Sequence, residues 1–296
     1  MVSVDPVERF AGYVEWLEHQ PLAEATRRAY SGHVRRFVGF LGAWPGEGGD
    51  PLTEAHARDY AVRDFKRHLK TAGRAKPASV NLALAGVDHF YRYLGVGKPD
   101  VRREELAQAA PRALSPEELR RFLRAVERCP SARDRAIALL LVNTALRIGE
   151  CAALDVDDVA ISARKGRVVV REGKGGAYRE VPLNAEARGA LDAWLTARGA
   201  QLRESGQTAL FVSRKGARLS TRALDLVIRA LAREAHLVLS AHTLRHTCLT
   251  KLVRGGADLV LVAELAGHRR LETTRRYSLP SQADRQAAME SLETDY

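Results

Sequence analysis

Cysteine is scarce in this chain of 296 residues. There are 3, Cys129, Cys151 and Cys248, an odd count with no C-x-x-C spacing. That excludes a disulfide framework and a zinc ribbon, and leaves three reduced, small core residues of the kind cytosolic proteins carry. Long apolar runs are missing too. The longest strongly apolar stretch, residues 136–142, is far too short to cross a bilayer. The opening residues, Met1-Val2-Ser3-Val4-Asp5, have no basic region with an apolar stretch behind it, so no signal peptide is expected. Internal repeats and low-complexity tracts are also absent. The expected location is cytoplasmic, with no membrane partner.

What the chain has in excess is positive charge. The net charge of +11 favours a polyanionic partner, nucleic acid ahead of an anionic membrane surface, although a merely basic soluble protein would carry the same charge. Hydrophobic residues make up 46%, enough for real cores, and the length is natural for two domains.

The first 95 or so residues read as helices alone. Tyr30, Val34, Phe37 and Leu41 recur at helical spacing, as do Val80, Leu84, Val87, Tyr91 and Leu94, and residues 53–71 carry Val62, Phe65 and Leu69. Glycine and proline punctuate them at 42–46, 73 and 95–99. The expectation is a bundle of about four helices over residues 1–95. Periodicity then fails, and residues 96–114, polar and basic with Pro99 and Pro111, read as a linker. Ser115-Pro116-Glu117-Glu118 opens a helix with an N-cap serine, a proline in the first turn and acidic residues after it. The second domain, residues 115–296, mixes types. Helix is expected over 131–145 and onward past Arg147. Residues 167–171 and 178–183 read as strands around a glycine-rich turn, with a third short strand at 209–212. All that follows Ser220 reads as helical, broken at Gly255-Gly256 and Gly267, with a short tail helix over 282–292.

Several residues can carry chemistry. Tyr277 lies near Arg269, Arg270, Arg275 and Arg276, and is either a half-buried core tyrosine or a nucleophile toward something anionic. A phenol titrates near pH 10 and needs positive charge or a base beside it to attack. Arg147 interrupts an otherwise apolar helix. It either pairs with Glu150 three residues on or holds an anion, because burying it alone is expensive. Lys174 sits at the tip of the Gly173-Lys174-Gly175-Gly176 turn, as a solvated lysine or as one that reaches a ligand. His242 and Arg245 share a helix face, and His246 completes a superficial likeness to a zinc helix. No acid follows His242 as in H-E-x-x-H, so a metal is not expected. His268 follows the break at Gly267, where a structural role is the ordinary alternative.

Taken together, these segments resemble the tyrosine recombinase (phage integrase) family, particularly its compact Xer-like members. Thr144-Ala145-Leu146-Arg147-Ile148-Gly149-Glu150 looks like its first arginine box. Residues 173–183 look like its lysine hairpin. His242-Thr243-Leu244-Arg245-His246-Thr247 is similar to its H-x-L-R-H box, and Leu265-Ala266-Gly267-His268 with Thr273-Thr274-Arg275-Arg276-Tyr277 to its last box. The resemblance covers the whole second domain. Two departures are Ala145, where a glycine is common, and Ala266, where a leucine is.

The resemblance implies a mostly α fold: an N-terminal four-helix, SAM-like core-binding bundle, then an α+β catalytic domain with a small antiparallel sheet. It implies a site-specific recombinase working through a 3′-phosphotyrosyl intermediate and a Holliday junction. Tyr277 would be the nucleophile and Arg147 and Arg245 the phosphate ligands, with His268 a further donor. His242 would be the general base, Lys174 the general acid and Glu150 an orienting group for Arg147 or His242. No metal or other cofactor is required. The partners implied are double-stranded DNA with an inverted-repeat core site and a tetramer on two sites, of this chain or with a related recombinase subunit. Arg28 and Arg35 on one helix, and Arg222, Arg229 and Arg233 on another, are phosphate contacts or solvated surface. Alternatives from other classes are a type IB topoisomerase and a non-catalytic DNA-binding regulator. The compact bundle and tail helix argue against the first, and the complete set of catalytic groups against the second.

Overall fold

A computed structural model describes residues 5–46, 49–106, 112–171, 178–201, 206–268, 270–279, 286 and 289–290. The chain forms two compact units, Met1–Ala107 and Gln108–Tyr296.

The first unit consists of α1 (Pro6–Glu18), α2 (Glu24–Leu41), α3 (Ala55–Thr71) and α4 (Pro77–Leu94). The start signals are local. The Asp5 carboxylate accepts the Val7 N–H and Pro6 fixes the first turn of α1, while Pro77 does the same for α4. Gly95 ends α4 in the left-handed conformation, φ 74°. The periodic residues meet as expected. Val34, Phe37, Val62, Val80 and Val87 are wholly buried, and the Phe37 and Phe65 rings cross edge to face at 5.1 Å. Burying a side chain of that kind contributes about 1.5–3 kcal/mol.

The expected linker is only partly one. Asn81 accepts the Glu104 N–H and donates to its carbonyl, Arg103 bonds Asp88, and Lys66 and Lys70 pair with the Glu104 carboxylate. Residues 96–104 are thus held on the bundle by polar contacts that have no sequence period.

In the second unit, α5 (Pro116–Arg128) begins at the Ser115–Glu118 capping box. Behind it α6 (Ala132–Thr144) is apolar nearly all round, with Ile137, Leu140 and Leu141 fully buried. Here the structure corrects the sequence reading. The helix stops at Thr144 because Ala145 turns left-handed, φ 53°, and a short α7 (Ile148–Ala153) restarts beyond Arg147.

The sheet is antiparallel, in the order β1 (Val159–Ile161), β2 (Gly166–Val170), β3 (Arg179–Pro182), with Val168 opposite both Val159 and Val181. The expected third strand at 209–212 makes only isolated bridges, Asp155 with Ala209 and Val212 with Arg218. Its four side chains are all buried, so it runs through the core instead of alternating along a sheet. The turn between β2 and β3, Lys174 included, lies outside the described residues.

The rest is α8 (Ala185–Gln201), α9 (Thr221–Glu234), α10 (Ala241–Arg254), α11 (Leu259–Ala266) and α12 (Leu271–Arg275). Besides the two glycine breaks, the chain turns between α9 and α10, with His236 left-handed at φ 53°. The expected tail helix over 282–292 lies almost wholly outside the described residues. Among the described residues no helix is long and apolar enough to cross a membrane.

Candidate active site

Ala145 determines where Arg147 goes. Its left-handed turn takes the chain out of α6 and makes Arg147 the N-cap of α7. The Arg147 N–H donates to Glu150 Oε2 (2.8 Å), its Nη1 to Glu150 Oε1 (2.8 Å) and its Nη2 to the Gly267 carbonyl (2.9 Å). Its pairing with Glu150 and its presence in the site therefore coexist.

Glu150 also receives Arg179 from β3, Nη1 at 3.1 Å and Nη2 at 2.7 Å. Burial pushes the Glu150 carboxyl up, but hydrogen bonds from Arg179 and Arg147 hold it below the usual carboxylate range. No sequence argument had marked Arg179. The available signal was its parity: it shares the inward face of β3 with Val181, an expensive place for a charge without a partner. Arg179 Nε also donates to the Leu265 carbonyl, and a Cβ on Gly267 would meet Arg179 Nη1 at 2.9 Å. Gly267 caps α11 at φ 62°, so glycine is required there twice over.

α10 starts at Ser240, which forms a capping box with Thr243, and its first turns carry His242, Arg245 and His246 on one side. Arg245 is 3% exposed. It donates to the carbonyls of Ala145 and Ala266, the latter at 2.7 Å, and to His268 Nε2 at 3.0 Å. Burial and neighbouring Arg147 lower its guanidinium to about 10, which still leaves it charged at neutrality.

His268 is held from both sides, with Nδ1 2.8 Å from the hydroxyl of fully buried Thr274. An arginine only donates, so Nε2 must accept and Nδ1 carries the proton to Thr274. Burial and Arg245 lower this imidazole to about 4, in keeping with a neutral ring.

Tyr277 follows α12, is 6% exposed, and packs with Ala145, Cys248, Leu249, Val262 and Ala266. Its ring lies parallel to that of His268, 8° between planes and 6.1 Å between centroids. Its hydroxyl is 2.7 Å from His246 Nδ1. Burial raises the phenol above its ordinary value of 10, against the opposing pull of Arg245, Arg276 and Arg147. The phenol is therefore protonated at rest. His242, expected as its base, is exposed and packs its ring at 70° on His246, 4.0 Å between centroids. The hydrogen-bond partner of the phenol is His246, which the sequence marks as a member of the H-x-L-R-H segment and of a false zinc helix but gives no role.

The structure thus gathers Tyr277, Arg147, Arg245, His268 and Glu150, adds Arg179, His246 and Thr274, and sets His242 against His246. Arg28 and Arg35 lie on the exposed side of α2, the first ion-paired with Glu24 (2.5 Å) and the second over the Phe10 ring. Arg222, Arg229 and Arg233 are exposed on α9, and Arg229 pairs with Asp225 (2.5 Å). Buried Cys151 and Cys248 have thiols pushed up to about 12 and about 11, as inert core residues do.

Guanidinium forks, neutral imidazoles and one phenol thus meet in a helical unit that follows a helical bundle. Comparison with known sequences places this set in a family. The sequence model of the phage integrase family matches residues 112–283, and that of the phage integrase N-terminal SAM-like domain matches residues 10–96. Tyrosine recombinase XerC of Myxococcus xanthus is 35% identical over 242 residues, 77% of this chain and 78% of that protein. Tyrosine recombinase XerA of Thermococcus kodakarensis is 30% identical over 278 residues, 93% and 91% of the two chains. The fold is also that of the XerH site-specific recombinase solved in a pre-cleavage complex with its difH substrate, with a TM-score of 0.69 over 90% of this chain and 79% of that one, at 22% identity. The chain belongs to the phage integrase family of tyrosine recombinases. Its activity is site-specific DNA recombination.

Proposed function

We propose that Tyr277 is the nucleophile of this recombinase and that its substrate is a duplex core site with inverted repeats. The supporting observation is the phenol itself: screened from solvent, flanked by Arg245 and Arg147, and 2.7 Å from a neutral imidazole. Tyr277 Oη bonds to the scissile phosphorus as the bond to the 5′-oxygen breaks. The phenol proton goes to the paired imidazoles of His242 and His246. The departing 5′-oxygen keeps the bond's electron pair and takes a proton from Lys174. The product is a 3′-phosphotyrosyl link and a free 5′-hydroxyl.

Arg147 and Arg245 hold the non-bridging oxygens, exchanging main-chain carbonyls for an anion, and His268 adds a donor. These groups stabilise charge that grows in the transition state. The link conserves the phosphodiester energy, so a 5′-hydroxyl from a second site can reverse the steps without cofactor or metal. Two rounds of exchange pass through a Holliday junction.

The bundle of residues 1–95 grips the duplex, the segment up to residue 114 joins it to the catalytic unit, and residues 115–296 carry the chemistry. Arg28, Arg35, Arg222, Arg229 and Arg233 touch phosphates. The surface ion pairs of Arg28 and Arg229 are worth little and exchange readily. Four chains, or this chain with a related recombinase subunit, assemble on two sites in the cytoplasm, each tail docking on a neighbour.

The test is a nicked suicide substrate. Wild-type chain forms a covalent complex, whereas Tyr277→Phe binds DNA and forms none. A covalent complex with Tyr277→Phe would sink the assignment. Relaxation of supercoils without strand exchange would favour a topoisomerase.

A further inference from the structure

The mechanism needs a group that removes the phenol proton, and two histidines stand one helical turn apart on α10. We infer that His246, through Nδ1, is the immediate acceptor of that proton, and that His242 acts on it from behind. The inference rests on the reading of Tyr277 as nucleophile.

Geometry carries it. His246 Nδ1 lies 2.7 Å from Tyr277 Oη, within the reach a general base requires. His242 is exposed, and its contact is with the His246 ring. The site also makes the acceptor available. His246 is half-buried and faces His242 and Arg245 from its own helix, Arg276 from the end of α12 and His268 from the α11 cap. Burial first, then the neighbouring His242, Arg245, Arg276 and His268, lowers its imidazole to about 4. The ring is therefore neutral at physiological pH, and in the tautomer that carries its proton on Nε2 the Nδ1 lone pair accepts from the phenol.

Such a ring is a weak base until the site changes. A phosphodiester brings negative charge to Arg245, offsetting that part of the depression of His246 which comes from the guanidinium charge rather than from burial. Basicity then rises where and when the nucleophile is needed, and an idle site keeps its phenol protonated. In the balanced step, the Oη–H bond breaks and Nδ1–H forms as Oη bonds to phosphorus, while the bond from phosphorus to the 5′-oxygen breaks and that oxygen takes a proton from Lys174. On religation the incoming 5′-hydroxyl bonds to phosphorus and loses its proton to the Lys174 amine, the P–Oη bond breaks, and His246 returns its proton to Oη.

The rival reading is that the same hydrogen bond merely parks Tyr277. The two differ in single-turnover cleavage of the suicide substrate at saturating protein. His246→Ala is expected to lose about 10²- to 10⁴-fold in the rate of covalent-complex formation. Its DNA affinity should be nearly unchanged, and added imidazole should restore part of the rate. His242→Ala should lose less. His246→Gln keeps an acceptor but not a base, so it should be as slow as His246→Ala and serves if the alanine variant does not fold. A His246→Ala or His246→Gln rate equal to or above wild type overturns the inference in favour of parking. A larger loss in His242→Ala with no response of His246→Ala to imidazole overturns it in favour of His242. A covalent complex with Tyr277→Phe would instead remove the nucleophile assignment on which both depend.

Discussion

Arg179 and Glu150 meet side on, two guanidinium nitrogens against two carboxylate oxygens at 3.1 and 2.7 Å, with 7% and 5% of their side chains exposed. Neither touches the phenol. Yet the same carboxylate holds Arg147, and the same guanidinium bonds the main chain that presents His268. Removing one partner strands a buried charge, so Glu150→Gln and Arg179→Met should each destabilise the second unit by about 3–5 kcal/mol. The double variant should recover much of that loss in folding while remaining poor at cleavage, because Arg147 has lost its holder. Urea unfolding of the four chains gives the cycle. Additive losses would mean that the pair is not coupled.

Ala145 occupies a left-handed position, φ 53°, where a Cβ is strained and a glycine is not. Ala145→Gly should therefore stabilise the chain by about 0.5–1 kcal/mol, after the extra unfolded-state entropy of glycine is counted. The melting temperature should rise by a few degrees. The carbonyl at 145 still accepts from Arg245, so cleavage should change little. A lower melting temperature would contradict the strain argument.

Acid should weaken the fold through His246 and His268. Both are lowered to about 4 from an ordinary 6.5, so below pH 6.5 the unfolded chain binds protons that the folded chain refuses. Stability is thus retained above about pH 6.5 and lost as pH falls toward 4. With solvent screening of half-buried rings, the loss is on the order of 1 kcal/mol each. Urea midpoints at pH 7 and pH 5 measure it. A His246→Gln/His268→Asn variant should show a shallower dependence, and an equal slope would exclude these two rings as the cause.

Tyr277, Arg147, Arg245 and His268 were legible as a set through the resemblance of their segments to the family's boxes. Taken singly, Tyr277, Arg147 and His268 read equally as core, ion-paired or structural residues, because spacing gives a helix face but not what meets it. Arg179 was missed because a strand of four residues shows little period, and its partner lies 29 residues away. His246 was misjudged because helical spacing gives the face but not which ring reaches a phenol from another helix. The break at Ala145 was hidden by its residue type, since alanine signals helix continuation and the left-handed turn is imposed by packing. β1 is three residues long, below what alternation can mark.

Residues 96–104 spend nearly half of the expected linker on the bundle, and Leu114 is already buried in the second unit with its N–H on Thr247. Between Glu104 and Leu114 the covalent chain can span at most about 36 Å. In the proposed clamp, where each unit holds the duplex, a tether that short makes the second hold an intramolecular event at millimolar effective concentration. Two individually weak holds can then give a long residence on DNA, and lengthening the tether would shorten that residence without altering a single contact.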